Sequence, residues 1–207
     1  SLADLTIPGM PTVVINDGDG IINLAENDGT MTVDITGEAN ADYTITPVNC
    51  SIVPGLTGTL NGMGQAQVTI TALADGLVEV SVVLTDVAGN NSPAGSDTSV
   101  ADITSPAMPT VVIDDSDGYI SIAENTAGVD LIITGEANAD FTITPTNCTI
   151  DEGLTGNLGG SGTTTLTLRA TADGAVSVSV VLEDSFSNQS AAGQDNSTAD
   201  LTNPALP

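Results

Sequence analysis

From Val78 to Thr85 the chain alternates: Val78, Val80, Val82 and Leu84 are apolar, while Glu79, Ser81 and Thr85 are polar and Val83 is the one exception. A side-chain period of two sends the first set to one face and the second to the other, so the run predicts a strand with one buried face. Shorter β-branched and apolar runs occupy Thr12 to Ile15, Ile21 to Leu24, Met31 to Thr36, Tyr43 to Pro47, Gln67 to Leu73 and Ser99 to Thr104. Clusters of Gly, Asn, Asp and Pro separate them and predict turns. Helical periodicity is absent, so no helix is predicted. Seven short strands in about 100 residues, with a turn signal every ten or so, predict an all-β immunoglobulin-like sandwich. The Cys, Trp, Cys signature of antibody domains is missing, and the prediction rests on strand number and spacing.

The whole pattern then returns at an offset of 98 residues without insertion or deletion: Thr36-Gly37-Glu38-Ala39-Asn40-Ala41-Asp42 reappears letter for letter as Thr134-Gly135-Glu136-Ala137-Asn138-Ala139-Asp140. A third copy starts at Ser197-Thr198-Ala199-Asp200. The expected organisation is two tandem immunoglobulin-like β-sandwich domains joined by a short Pro-containing linker. Residues 1–6 are the closing strand of a preceding repeat, expected to be poorly anchored; 7–104 are repeat 1, 105–202 repeat 2, and 203–207 the start of a third. Pro8 and Pro11, Pro106 and Pro109, and Pro204 and Pro207 mark the junctions, and fixed φ at proline makes these connectors short and stiff. Repeats this alike suit a part whose task is length or multivalency better than one with a unique reaction. Each repeat with its connector advances such an array by roughly 40 Å, since a ten-residue strand spans about 33 Å.

Charge narrows the partners. The chain carries 27 acidic residues, one basic residue, Arg169, and no His, for a formal net charge of -26. Nucleic acid and anionic membranes are repelled by such a field, and something cationic is the natural counterpart. Without His, and without a nucleophile beside a base, triads and zinc sites are excluded. A glycosidase-like carboxylate pair needs sugar-stacking aromatics that two Tyr and two Phe do not supply. The chain therefore reads as no enzyme. Cys50 and Cys148, one per repeat, read as buried free thiols. Asn49 and Asn147 stand in Asn-x-Ser/Thr triplets, a short pattern that arises by chance as well as in glycan acceptors, and Thr163-Thr164-Thr165 reads as a strand start.

The acidic residues gather at predicted turns: Asp17-Gly18-Asp19-Gly20 with Glu26; Glu38 with Asp42; Asp75-Gly76; and Asp86 with Asp97 around Gly89-Asn90. Calcium takes six to eight oxygen ligands, and Gly lets a chain curl around the ion. Turns favour Asp, Asn and Gly without any ion, but sandwich topology adds an argument. The first and penultimate loops fall at the end where the chain leaves, placing Asp17, Asp19, Glu26 and Asp75 beside the connector. The second and last loops of the next repeat, with Glu136, Asp140, Asp184 and Asn188, face them from across it. Unneutralised carboxylates there repel, and a divalent cation turns repulsion into a clamp. The candidate calcium ligands are Asp17, Asp19, Glu26, Asp75, Asp86 and Asp102 in repeat 1, and Asp115, Asp117, Glu124, Glu136, Asp140 and Asp184 in repeat 2.

The segments Pro11-Thr12-Val13-Val14-Ile15-Asn16-Asp17-Gly18-Asp19-Gly20-Ile21-Ile22-Asn23 with Ala25-Glu26, and Leu84-Thr85-Asp86-Val87-Ala88-Gly89-Asn90, resemble the tandem bacterial immunoglobulin-like repeats of giant secreted adhesins. That family includes large RTX-type biofilm adhesins exported by type I secretion and the ice-binding adhesin of a marine bacterium. The resemblance implies a calcium-stiffened extender at the bacterial cell surface, monomeric, whose partners are calcium ions and the neighbouring repeats of its own chain. The second repeat departs from the pattern at Asp184-Ser185-Phe186-Ser187-Asn188, where its last loop is expected to bend the rule. The insert around Cys50 and Cys148 also lies outside the pattern. The rival reading is a carbohydrate- or protein-binding module acting through its loops. Those loops lack the Tyr, Trp and Arg anchors that dominate binding surfaces.

Overall fold

A computed structural model of the chain describes residues 4–203, and the chain divides into two compact units, Ser1–Thr104 and Ser105–Pro207. The expected remnant strand at 1–6 lies partly outside the described residues, and Pro204 and Pro207 lie wholly outside them.

The first unit contains β1 (Thr12–Ile15), β2 (Ile21–Asn23), β3 (Thr32–Thr36), β4 (Asp42–Val48), β5 (Cys50–Val53), β6 (Thr57–Thr59), β7 (Gln65–Ala72), β8 (Gly76–Thr85) and β9 (Gly95–Asp102). They form a four-stranded sheet, β1-β3-β7-β5, and a five-stranded sheet, β2-β9-β8-β4-β6. β1 pairs antiparallel with β3 in one sheet, whereas β2 pairs parallel with β9 in the other. The chain therefore changes sheets inside Asn16 to Gly20, where Gly18 and Gly20 take φ of 83° and 86°, a left-handed conformation that glycine adopts without steric cost. The alternation read at Val78 to Leu84 is the inner face of β8: all four residues are fully buried. They meet Val33, Ile35, Val68 and Ile70 of the opposite sheet, and each such side chain contributes roughly 1.5–3 kcal/mol on burial.

The second unit repeats this plan with β10 (Thr110–Asp114), β11 (Tyr119–Ser121), α1 (Ile122–Ala127), β12 (Val129–Thr134), β13 (Asp140–Thr146), β14 (Cys148–Ile150), β15 (Thr155–Asn157), β16 (Thr163–Ala170), β17 (Gly174–Glu183) and β18 (Gly193–Asp200). Its sheets are β10-β12-β16-β14 and β11-β18-β17-β13-β15. Thr163 to Thr165 indeed open a strand, β16.

Four expectations need correction. The inserts around Cys50 and Cys148 are strands: β5 pairs with β7 and β14 with β16, while β6 and β15 add to β4 and β13. They are short, and Gly58 and Gly156 give β6 and β15 no apolar rhythm. These glycines lie against the Tyr43 and Phe141 rings, so that a Cβ on Gly156 stands 2.6 Å from Phe141 Cζ. A helix does occur, α1, too short for periodicity to register. It is started by a capping box in which Ser121 and Glu124 bond each other's backbone N–H, and its last carbonyls, Asn125 O and Thr126 O, accept from Arg169 Nη1 at 2.8 and 3.0 Å. Repeat 1 has Thr71 in place of Arg169 and forms turns there. Asp97 is not in a turn beside Asp86 but in the middle of β9, where it accepts Ile15 N–H of β1 at 2.8 Å. Finally, in the described part of the segment expected to be poorly anchored, Asp4 O and Thr6 O accept from Asn90 Nδ2 at 3.3 and 3.1 Å.

Candidate functional site: two acidic ends on each unit

With one cation in the chain, carboxylates must find other partners, and most of the candidates accept backbone N–H groups. Among the described residues the one ion pair is Arg169 Nε to Asp151 Oδ2 at 2.9 Å. In the sheet-changing loop Asp17 Oδ1 accepts Gly20 N at 3.2 Å and Asp19 Oδ1 accepts Ile21 N at 3.0 Å. Asp115 and Asp117 do the same for Gly118 N and Tyr119 N, each at 3.0 Å. Glu26 Oε2 accepts Asn23 N at 3.1 Å, and Asn23 Oδ1 returns the bond to Glu26 N at 3.0 Å. The Asn-x-x-Glu and Ser-x-x-Glu spacings of Asn23 with Glu26 and Ser121 with Glu124 were the sequence signal for this pair. The Ser121 N–H, then its hydroxyl, hold the Glu124 carboxyl below its usual range, against the upward push of desolvation and of the like charge on Asp115.

The leaving end of each unit gathers these groups. The register sets Asn23 beside Asp102 and Ser121 beside Asp200. Asp75 spans the last residues of unit 1, accepting Ile103 N through Oδ1 and Thr104 Oγ1 through Oδ2, both at 2.7 Å. Those two bonds, the backbone one first, hold its carboxyl below the ordinary range. Asp173 likewise accepts Leu201 N. Sequence reasoning passed over Asp173 and Asp200, although the 98-residue offset from Asp75 and Asp102 points to both. In unit 2 a surface hollow of about 730 Å³ is lined by Asp117, Tyr119, Glu124, Asp200, Thr202 and Asn203. In unit 1 a hollow of about 380 Å³ is lined by Asp17, Glu26 and Asp28 with Asn16 and Thr30.

The last loop lies at the entering end. Asp86 Oδ1 accepts Ala88 N and Asn90 N, both at 2.8 Å, and its Oδ2 accepts Asn90 Nδ2 at 2.8 Å. The Asn90 side chain leads the interactions that hold the Asp86 carboxyl below its usual range. Asn90 thus links Asp86 to the segment at Asp4 and Thr6. Asp184, despite the altered Ser185-Phe186-Ser187, accepts Phe186 N at 2.8 Å and Asn188 N at 2.9 Å, with Asn188 Nδ2 at 2.9 Å. The backbone of the loop keeps its turn, with Ser187 at a left-handed φ of 65° where Gly89 has 90° in repeat 1. Asp140 pairs across from Glu183 and accepts Asn157 Nδ2 at 2.7 Å, while Glu136 is exposed in the turn before β13.

The donors at both hollows are hard oxygens, which suits calcium and no softer metal. Among the described residues, however, no three His, Cys, Asp or Glu side chains are gathered closely enough to hold a metal ion, so an ion would have to draw the loops inward. Cys50 and Cys148 are free and buried, and burial pushes both thiols up. Asn49 and Asn147 have their amides tied to Ala74 O at 2.7 Å and Ala172 O at 2.9 Å, and so serve as turn staples.

No protein-family model matches the chain, and no curated protein does. Solved structures do. A Ca2+-stabilized adhesin that helps an Antarctic bacterium reach out and bind ice is 25% identical, with a TM-score of 0.55, over 97% of this chain and 51% of that one. A 1.5-MDa bacterial ice-binding adhesin is 23% identical, with a TM-score of 0.49, over 95% of this chain and 66% of that one. A tetra-tandem repeat from the extending region of a large adhesion protein is 22% identical, with a TM-score of 0.35, over 96% and 50%. The fold and the first of these likenesses define the class: tandem immunoglobulin-like β-sandwiches similar to those of a bacterial adhesin. This chain spans about half the length of that first structure.

Proposed function

We propose that the chain is a non-enzymatic extender segment of a bacterial cell-surface adhesin, stiffened by calcium at its acidic loops and holding a distal binding region away from the cell. The observation that carries the reading is the use each unit makes of its acidic ends. Asp75 grips Ile103 and Thr104 as the chain leaves the first unit, and the Asp86–Asn90 pair grips Asp4 and Thr6 as it enters. Carboxylates that already fasten the outgoing and incoming chain are where an ion would stiffen the connection most. The likeness to a Ca2+-stabilized adhesin supports the choice of ion.

The residues that would hold calcium in unit 2 are Asp117, Glu124 and Asp200 around their hollow. Their repeat-1 counterparts are Asp19, Glu26 and Asp102, with Asp17 alongside. When bound, the ion supplies charge neutralisation and a bridge between loops. Free calcium at ten times Kd contributes about 1.4 kcal/mol per site that binds only the ordered form, and extracellular modules bind near 10⁻⁴ to 10⁻³ M. Small-angle scattering and calorimetry in calcium and then chelator test this. The maximum dimension and the melting temperature should both rise with calcium; if neither changes at millimolar ion, the stiffening role is wrong.

A further inference from the structure

Asn61 is the one asparagine in the chain that a glycine follows, and its counterpart in the second repeat is Gly159. It stands exposed in the turn between β6 and β7 and lines a surface hollow of about 370 Å³ with Asp34, Thr36 and Gln67. Its side chain folds back over its own backbone, so that Oδ1 accepts Met63 N at 2.9 Å and Gln65 N at 3.0 Å. Two N–H donors on one atom decide which end of the amide is oxygen. The Asn61 backbone is pinned, its N–H donating to Gln65 O at 3.0 Å and its carbonyl accepting Gly64 N at 2.8 Å. Among the described residues, by contrast, neither Asn61 Nδ2 nor the Gly62 N–H has a hydrogen-bond partner. The space where a Gly62 side chain would stand is empty.

We propose that Asn61 is a self-modification site: the Gly62 nitrogen attacks Asn61 Cγ, the turn closes to a succinimide, and water opens the ring to aspartate or isoaspartate. The bond from Gly62 N to Cγ forms as the Cγ–Nδ2 bond breaks, and Nδ2 leaves as ammonia with the proton that Gly62 N gives up through solvent. Water then adds at Cγ, restoring the peptide as aspartate, or at the main-chain carbonyl carbon, leaving the chain routed through Cβ and Cγ. No oxidant or reductant enters. Attack places negative charge on Oδ1, where the Met63 and Gln65 N–H groups already stand within the range of about 2.7–3.1 Å that stabilises such an oxyanion. Both reacting atoms belong to neighbouring residues, so no encounter has to be arranged, and a glycine nitrogen is uncrowded. The other asparagines lack this combination. Asn27, Asn49, Asn125 and Asn147 each tie Nδ2 to a main-chain carbonyl and precede residues with side chains.

The test holds the whole chain at mildly alkaline pH below its melting temperature and follows every asparagine by peptide mass mapping, with isoaspartate read by enzymatic methylation. Asn61 should convert first. Its rate in the folded chain should fall no more than about tenfold below that of the chain unfolded in guanidinium, because the donors on Oδ1 offset the pinning of the backbone. Gly62→Ala should slow the folded reaction by more than about tenfold, since its Cβ crowds the attacking nitrogen. The empty space around Gly62 accepts that methyl, so the melting temperature of the first unit should not move. A folded chain that keeps Asn61 intact while the unfolded chain converts it, or that converts another asparagine first, overturns the proposal. So does a folded Gly62→Ala chain that reacts as fast as the unsubstituted one. Should Gly62→Ala shift the melting temperature, the comparison of folded and unfolded rates in the unsubstituted chain decides alone.

Discussion

Replacing Asp97 by Ala asks whether a carboxylate in a chain of charge -26 stabilises by its hydrogen bonds or destabilises by its repulsion. β1 is an edge strand of its sheet, and the Ile15 N–H would be left unpaired on a residue 5% exposed. Asp97 of the opposite sheet takes it at 2.8 Å and also accepts Thr98 N at 2.9 Å. A hydrogen bond to a charged group contributes about 1.5–3 kcal/mol; only the first of these two is sheltered, so the pair is assigned roughly 2–3 kcal/mol. Removing one charge relieves repulsion from solvated groups, screened to about 0.2–1 kcal/mol for an exposed pair at contact and less for the more distant ones. The bonds should win. For a unit of this size each kcal/mol moves Tm by about 4–8 °C, so D97A should lower the melting of the first unit by roughly 10–20 °C in differential scanning calorimetry. Asp195, which accepts Ile113 N at 2.8 Å, gives the mirror experiment: D195A should move only the second unit. An unchanged or raised Tm for D97A refutes the reasoning, because it would mean that charge relief outweighs the inter-sheet bond.

Asp75→Asn should destabilise at neutral pH, and the gap to the unsubstituted chain should close as pH falls. The folded Asp75 carboxyl is held below its ordinary range, so its contribution is present above the unfolded value of about 3.9 and is lost as pH falls through the lower folded value. A gap in Tm that persists to about pH 2 would assign the effect to shape rather than charge. Gly58→Ala should cost about 1–3 kcal/mol by overpacking, since its Cβ collides with the Tyr43 ring; adding Tyr43→Phe, which removes the hydroxyl it meets, should recover part of the loss in urea titrations. Trypsin should leave the native chain whole and cut the unfolded chain once, because Arg169 is the single basic residue and lies within β16, bonded to Asp151, Asn125 and Thr126. Rapid native cleavage, read by mass spectrometry, would show that α1 and β16 separate easily.

How much was legible can be judged residue by residue. Strands with a repeating buried face declared themselves: Val78 to Leu84, Thr12 to Ile15 and Met31 to Thr36 were read close to where β8, β1 and β3 lie. β6 was not, because Gly58 owes its place to the Tyr43 ring of another strand, and a contact between strands leaves no local rhythm. The helix was missed for the opposite reason, since its signal is the single capping pair Ser121 and Glu124. The ends at which the acidic loops gather followed from topology alone.

Sequence by itself determined the repeat, the sandwich, the excess of carboxylate over cation and hence the call for a cationic partner. These are properties of composition and period, which need no coordinates. Only the tertiary structure decided what each carboxylate does: Asp97 fastens two sheets, Asp75 holds the outgoing chain, Glu124 caps a helix, and Asp115 is tucked onto Ser197 while Asp17 is not. The physical reason is that an acidic side chain takes whichever N–H or hydroxyl the fold brings within about 3 Å, and that neighbour comes from a strand distant in sequence. Identical letters 98 residues apart can therefore hold different bonds, as Ser99 and Ser197 do.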